Sequence, residues 1–137
     1  MDYATRVDEL EAEGLTTSDA QGVADAEEMK LWQAVRSRIR LTSAYPELRD
    51  AAIRFHVSLH GKASRANVEQ RYLLEPEDLL SAHAGVMNAK SARCQTLRSL
   101  ADQVIKQAEL PMCKAGLYRG QDYRVRVWDV PKQWAQG

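Results

Sequence analysis

Apolar residues recur along most of the chain at intervals of three and four, the spacing that gathers them on one face of an α-helix. Tyr3, Val7 and Leu10 do so within residues 3–13, with acids on the other face, and Gly14 supplies a stop. Thr16 then reads as a cap, with Asp19 three residues later returning the bond in a variant of the capping box. It predicts a long helix over residues 17–42, whose stripe is Leu31, Val35 and Ile39, reinforced by Trp32. Gly22 weakens its first turns by roughly 1 kcal/mol relative to alanine and leaves room for a break there. Tyr45-Pro46 is the next boundary, because proline disfavours the helical region for the residue before it and suits the first turn of the helix it opens. Leu48, Ala52, Phe55 and Leu59, widened by Ile53 and Val57, predict a central core helix that Gly61 ends. Ser64 caps a short helix over 65–73 with Val68 and Tyr72 inward, and Pro76 restarts the chain. Leu79, Leu80, His83, Ala84, Val86 and Met87 then suggest a helix over 76–88. The last helical stripe is Cys94, Leu97, Ala101, Val104 and Ala108, giving a helix over 90–109.

Past Pro111 and Gly116 the period changes. Tyr123, Val125 and Val127 alternate with Arg124 and Arg126, which is a strand pattern. Arg119-Gly120-Gln121-Asp122 reads as a turn after a short first strand from Lys114 to Tyr118, and the tail from Pro131 is expected to be loose apart from Trp134. The fold class expected is therefore mainly α: a helical bundle of about five to six helices with a C-terminal β-hairpin. Three regions follow: an acidic helical N-terminal segment (1–30), a helical core (31–110), and the hairpin with its tail (111–137). The opening hairpin of helices is too small to bury a core by itself, so its apolar residues must pack on the body or on another chain.

Composition narrows the class without naming a function. The chain has 137 residues, 45% hydrophobic and 28% charged, as in an ordinary soluble globular protein. It has no run of 18 apolar residues and no basic-then-apolar opening, so neither a membrane span nor a secretory signal is expected. Cys94 and Cys113 then read as free thiols in a cytoplasmic setting. The formal net charge of zero hides a polarity: residues 1–30 carry nine acids against Arg6 and Lys30, and residues 31–137 carry ten acids against seventeen bases. The acidic segment can dock on its own basic body, on a neighbouring copy, or on a basic external partner. The plainest alternative is a pair of solvated helices with local charge bias.

Candidate chemistry is sparse. His56 and His60 stand at helical i,i+4 spacing, which suits a transition metal. Val57 occupies the place where a zinc-protease helix has glutamate, and no third ligand is near in sequence. Two histidines at the edge and end of a core helix explain the pair as well. No glycine-flanked serine, phosphate loop or dinucleotide fingerprint is present. Cys94 lies on an apolar stripe, where a thiol is usually inert core, and Cys113 stands beside Lys114, which can lower its pKa. The expectation is a non-enzyme without a metal or cofactor.

Two binding readings remain. In the first, the acidic face (Asp8, Glu9, Glu11, Glu13, Asp25, Glu27, Glu28) contacts a protein, with Arg119, Arg124 and Arg126 of the hairpin as a second surface. In the second, helices followed by a β-hairpin are the ingredients of a winged helix–turn–helix that binds DNA. Lys62 and Arg65 would then sit at the start of its second helix, and Arg119, Arg124 and Arg126 on its wing. Against the second stands Glu75-Pro76-Glu77-Asp78, whose carboxylates would open the reading helix toward phosphates.

The run Gly14-Leu15-Thr16-Thr17-Ser18-Asp19-Ala20-Gln21-Gly22-Val23-Ala24-Asp25-Ala26-Glu27 resembles a short segment in small accessory proteins of phages and other mobile elements of Gram-negative bacteria. The resemblance implies a bacterial or phage cytoplasmic setting. It also implies a binder of a bacterial protein or ribonucleoprotein complex, as anti-CRISPR inhibitors are. It carries no catalytic residues. A homodimer built on the long helices is a further expectation, and DNA is the alternative partner.

Overall fold

The computed structural model describes residues 1–61, 65–72, 75–76, 78–79, 90–115 and 122–136. They form a mainly α structure with five α-helices: α1 (Tyr3–Ala12), α2 (Thr17–Arg40), α3 (Tyr45–His60), α4 (Arg65–Tyr72) and α5 (Ala92–Ala108). The expected cap at Ser64 and most of the helix expected over 76–88 lie outside the described residues.

Side chains close the helix ends where the sequence offers an oxygen. Asp2 accepts from the Thr5 N–H at 2.9 Å, Thr16 from Asp19 at 3.2 Å, and Ser91 from Cys94 at 3.2 Å. Each satisfies one of the orphan donors of a first turn. Gly14 breaks the chain between α1 and α2 with φ 104°, a conformation closed to most residues. α2 runs unbroken through Gly22.

α1 folds back along the first half of α2 around a small apolar cluster of its own: Val7 and Leu10 seat on Ala20 and Ala24, with Tyr3 and Leu15 at the edge. The two alanines, one turn apart and wholly buried, let the helices approach closely. The second half of α2 enters the main core, where Val35 and Ile39 meet Leu48, Ala52 and Ile53 of α3, Val68 of α4, and the full stripe Cys94, Leu97, Ala101, Val104 and Ala108 of α5 is buried. Burying each of the larger aliphatic side chains is worth about 1.5–3 kcal/mol. Leu59 departs from its stripe: it lies on the α3 face by spacing but is 61% exposed.

α5 ends in a left-handed residue, Glu109 (φ 56°), while Leu110 returns its N–H to the Ile105 carbonyl at 3.2 Å. This is a Schellman-type stop built without glycine. Arg38 of α2 secures it, donating to the Ala108 carbonyl at 3.4 Å and to the Glu109 carboxylate at 3.0 Å.

The chain then forms two short antiparallel strands, β1 (Met112–Ala115) and β2 (Asp122–Val125), with Met112 opposite Val125 and Ala115 opposite Asp122. The first strand was expected to start at Lys114, two residues later, so its pairing begins nearer to α5. The expected turn is described only at its last residue, Asp122; Arg119, Gly120 and Gln121 lie outside the described residues. Val127, expected to continue the strand, instead opens a 3-10 turn (Val127–Asp129) and is buried in the core. The tail from Pro131 is ordered rather than loose. A second 3-10 turn (Lys132–Ala135) packs on α2, and Trp134 stacks against Arg38 with the guanidinium carbon 4.3 Å from its ring centre.

Candidate functional site

The seven acids of the expected docking face do not form one uniform surface. Arg6, on the side of α1 that faces α2, makes a two-pronged bond to Glu27, with Nε to Oε2 at 2.8 Å and Nη2 to Oε1 at 2.9 Å. It also reaches Glu9, one turn along its own helix, at 3.2 Å. These bonds hold the Glu27 carboxyl below the usual carboxylate range and raise the Arg6 pKa. Asp25 accepts a hydrogen bond from Tyr3 and pushes its phenol above the ordinary value. Glu28 is half-buried beside the same seam.

Asp8, Glu11 and Glu13 remain exposed on the outer side of α1 and its C-terminal cap, with no ion pair among the described residues. Val7 and Leu10 turn inward, so the outward positions of the same helix are left to these carboxylates. The surviving acidic surface is thus Asp8, Glu11 and Glu13, while Glu9, Glu27 and Asp25 also hold α1 on α2.

The basic body is likewise partly committed to itself. Arg36 and Arg40, one turn apart on α2, converge on Glu75 at 3.0 and 3.3 Å. Arg54 reaches Asp50 at 3.0 Å, and Arg65 bonds the other oxygen of the same carboxylate, which is held below its ordinary pKa chiefly by the Arg65 bond. Arg126 bonds Asp129 at 2.6 Å. Two of the five nucleic-acid candidates, Arg65 and Arg126, therefore already have carboxylate partners. Lys62 and Arg119 lie outside the described residues. Arg124 lies on β2 opposite Cys113, and the side chains of both lie outside what is described.

His56 is half-buried on α3, while the side chain of His60 lies outside what is described. Among the described residues no three histidine, cysteine, aspartate or glutamate side chains gather to hold a metal ion, and no helix is long and apolar enough to cross a membrane. Cys94 is buried as a free thiol in the α5 stripe.

Sequence reading missed the Arg6 clasp, the Arg38 junction and the convergence on Glu75. Each joins residues far apart in the chain. The one local signal was helical spacing: Arg6 lies one turn before Glu9, and Arg36 one turn before Arg40. Comparison of the chain with protein-family models, with curated proteins and with solved structures gives no match.

Proposed function

We propose that the chain is a small non-enzymatic binding protein of the kind that phages and plasmids encode as inhibitors. Like anti-CRISPR proteins, it would act by protein–protein contact on a bacterial protein or ribonucleoprotein complex inside the host cell. The supporting observation is the outer side of α1: Asp8, Glu11 and Glu13 are exposed and without an ion-pair partner among the described residues, on a hairpin whose inward residues Val7, Leu10, Ala20 and Ala24 are already buried. Such a surface opposes lysine and arginine on a partner and speeds encounter more than it fixes affinity. The likeness of residues 14–27 to segments of mobile-element proteins supplies the bacterial setting. A second copy of the chain is the other partner that the charge polarity admits. We extend the reading to the C-terminus: the basic β-hairpin expected there, with Arg119, Arg124 and Arg126, would supply a second contact.

The test is capture of partners from a bacterial lysate on the immobilised chain, with and without nuclease, followed by association kinetics on the partner found. A protein partner that survives nuclease is expected. Asp8→Lys, Glu11→Lys and Glu13→Lys together should slow its association about tenfold or more at low salt and flatten the salt dependence. Unchanged association would remove this surface from the mechanism. Capture lost on nuclease treatment would favour the winged helix–turn–helix alternative, a DNA-binding regulator. For that reading Arg65 and Arg126 would have to leave their carboxylates for phosphates.

A further inference from the structure

The N-terminal hairpin, the middle of α2 and the C-terminal 3-10 turns line a half-open cavity of about 450 Å³. That is within the range of cavities that hold small molecules. Leu31, Trp128 and Val130 give it an apolar wall, and Lys30 and Lys132 stand on its margin. The remaining charged lining is the Arg6 clasp, whose cation is bonded to Glu27 and Glu9, and Met1, whose terminal ammonium is bonded to Asp129 at 3.1 Å. The two lysines differ from it. Both are exposed, and neither makes an ion pair among the described residues. Lys132 lies near enough to Glu27 to help lower its pKa, while Glu27 gives its bonds to Arg6.

The cavity thus offers an indole and two aliphatic side chains, together with two ammonium groups that make no ion pair among the described residues. A ligand that satisfies both has a compact apolar body and one carboxylate. A cation would be repelled by the lysines, and a strongly polar body would find few partners on the Leu31, Trp128 and Val130 wall. We propose that this cavity binds a small aryl or acyl monocarboxylate, its body against Trp128 and its carboxylate between Lys30 and Lys132. The site shares none of Asp8, Glu11 and Glu13, so it stands or falls separately from the docking surface.

The experiment titrates the full chain with naphthylacetate and, in parallel, with the uncharged naphthylethanol, following the Trp128 indole N–H resonance assigned from a Trp128→Phe spectrum. Naphthylacetate should move that resonance with a Kd of about 1 mM or tighter, and naphthylethanol should bind more weakly. Lys30→Gln together with Lys132→Gln should weaken naphthylacetate about fivefold and leave naphthylethanol unchanged. Both lysines are exposed, and an unchanged helical circular dichroism spectrum verifies that the double variant folds. No shift of the Trp128 resonance at millimolar naphthylacetate would overturn the proposal. So would equal affinity for the acid and the alcohol, or a double variant that binds the acid as the wild type does.

Discussion

A single arginine decides how much of the acidic segment is available to a partner. Arg6 holds Glu27 through two parallel bonds and Glu9 through a third, and Glu27 titrates below its ordinary value of 4.5 as a result. A carboxylate whose folded pKa is depressed stabilises the fold fully above its unfolded value. That contribution is lost as pH falls through the lower, folded value. The hold of α1 on α2 should therefore persist through neutral pH and slacken only in acid. In Arg6→Gln the Glu27 carboxyl should titrate closer to 4.5, and the acid dependence of helix content should shrink. Carboxyl-carbon NMR titration checks this, and an unmoved Glu27 midpoint would show that Arg6 is not what depresses it. The caps are the other lesson at this scale. Thr16 could be read in advance because an N-cap needs only an oxygen and an N–H three residues on. The Arg6–Glu27 bond could not, because 21 residues separate its partners.

At the scale of elements, periodicity gave the five described helices and most of their described inward faces, and its failures are specific. Leu59 continues the α3 stripe by spacing but is 61% exposed, because spacing assigns a face and not whether another element covers its last turn. Gly22 was read as a weak point, yet α2 continues through it. The buried seam at Ala20 and Ala24 holds the helix on both sides of the glycine, and such tertiary contact overrides propensity. Space around Gly22 is open, with nothing within 4 Å of where a Cβ would stand. Gly22→Ala should accordingly stabilise the fold by about 0.5–1 kcal/mol, measured by urea unfolding. A loss of stability would mean that the glycine serves something other than helix continuity.

At the scale of the molecule, the C-terminus is where the structure departs furthest from expectation. The residues after Pro131 cap the body instead of trailing from it, and Arg38 links three parts of the chain at one point: α2, the end of α5 and Trp134. Trp134→Ala should cost about 1–3 kcal/mol, from a half-buried ring and its contact with the guanidinium. It should also loosen the second 3-10 turn, seen as faster amide exchange in residues 132–135. Stability and exchange at wild-type values would mean that the tail is only resting on α2. The charge polarity of the sequence is also reduced on folding: Arg6 neutralises part of the acidic end, and Asp50, Glu75, Glu109 and Asp129 engage part of the basic end.

The sequence by itself determined what depends on neighbours a few residues apart: helix periods, the α5 stripe, the Thr16 cap, and the stops at Gly14 and Gly61. These follow from backbone geometry and from hydrogen bonds that close within one turn. Tertiary structure alone decided which charges remain uncommitted, which turn of a stripe is covered, and that the tail lines a half-open cavity against α2. Those outcomes rest on distances between residues remote in the chain, such as Arg38 and Glu109, 71 positions apart. Composition and spacing carry no record of such distances until the core has formed.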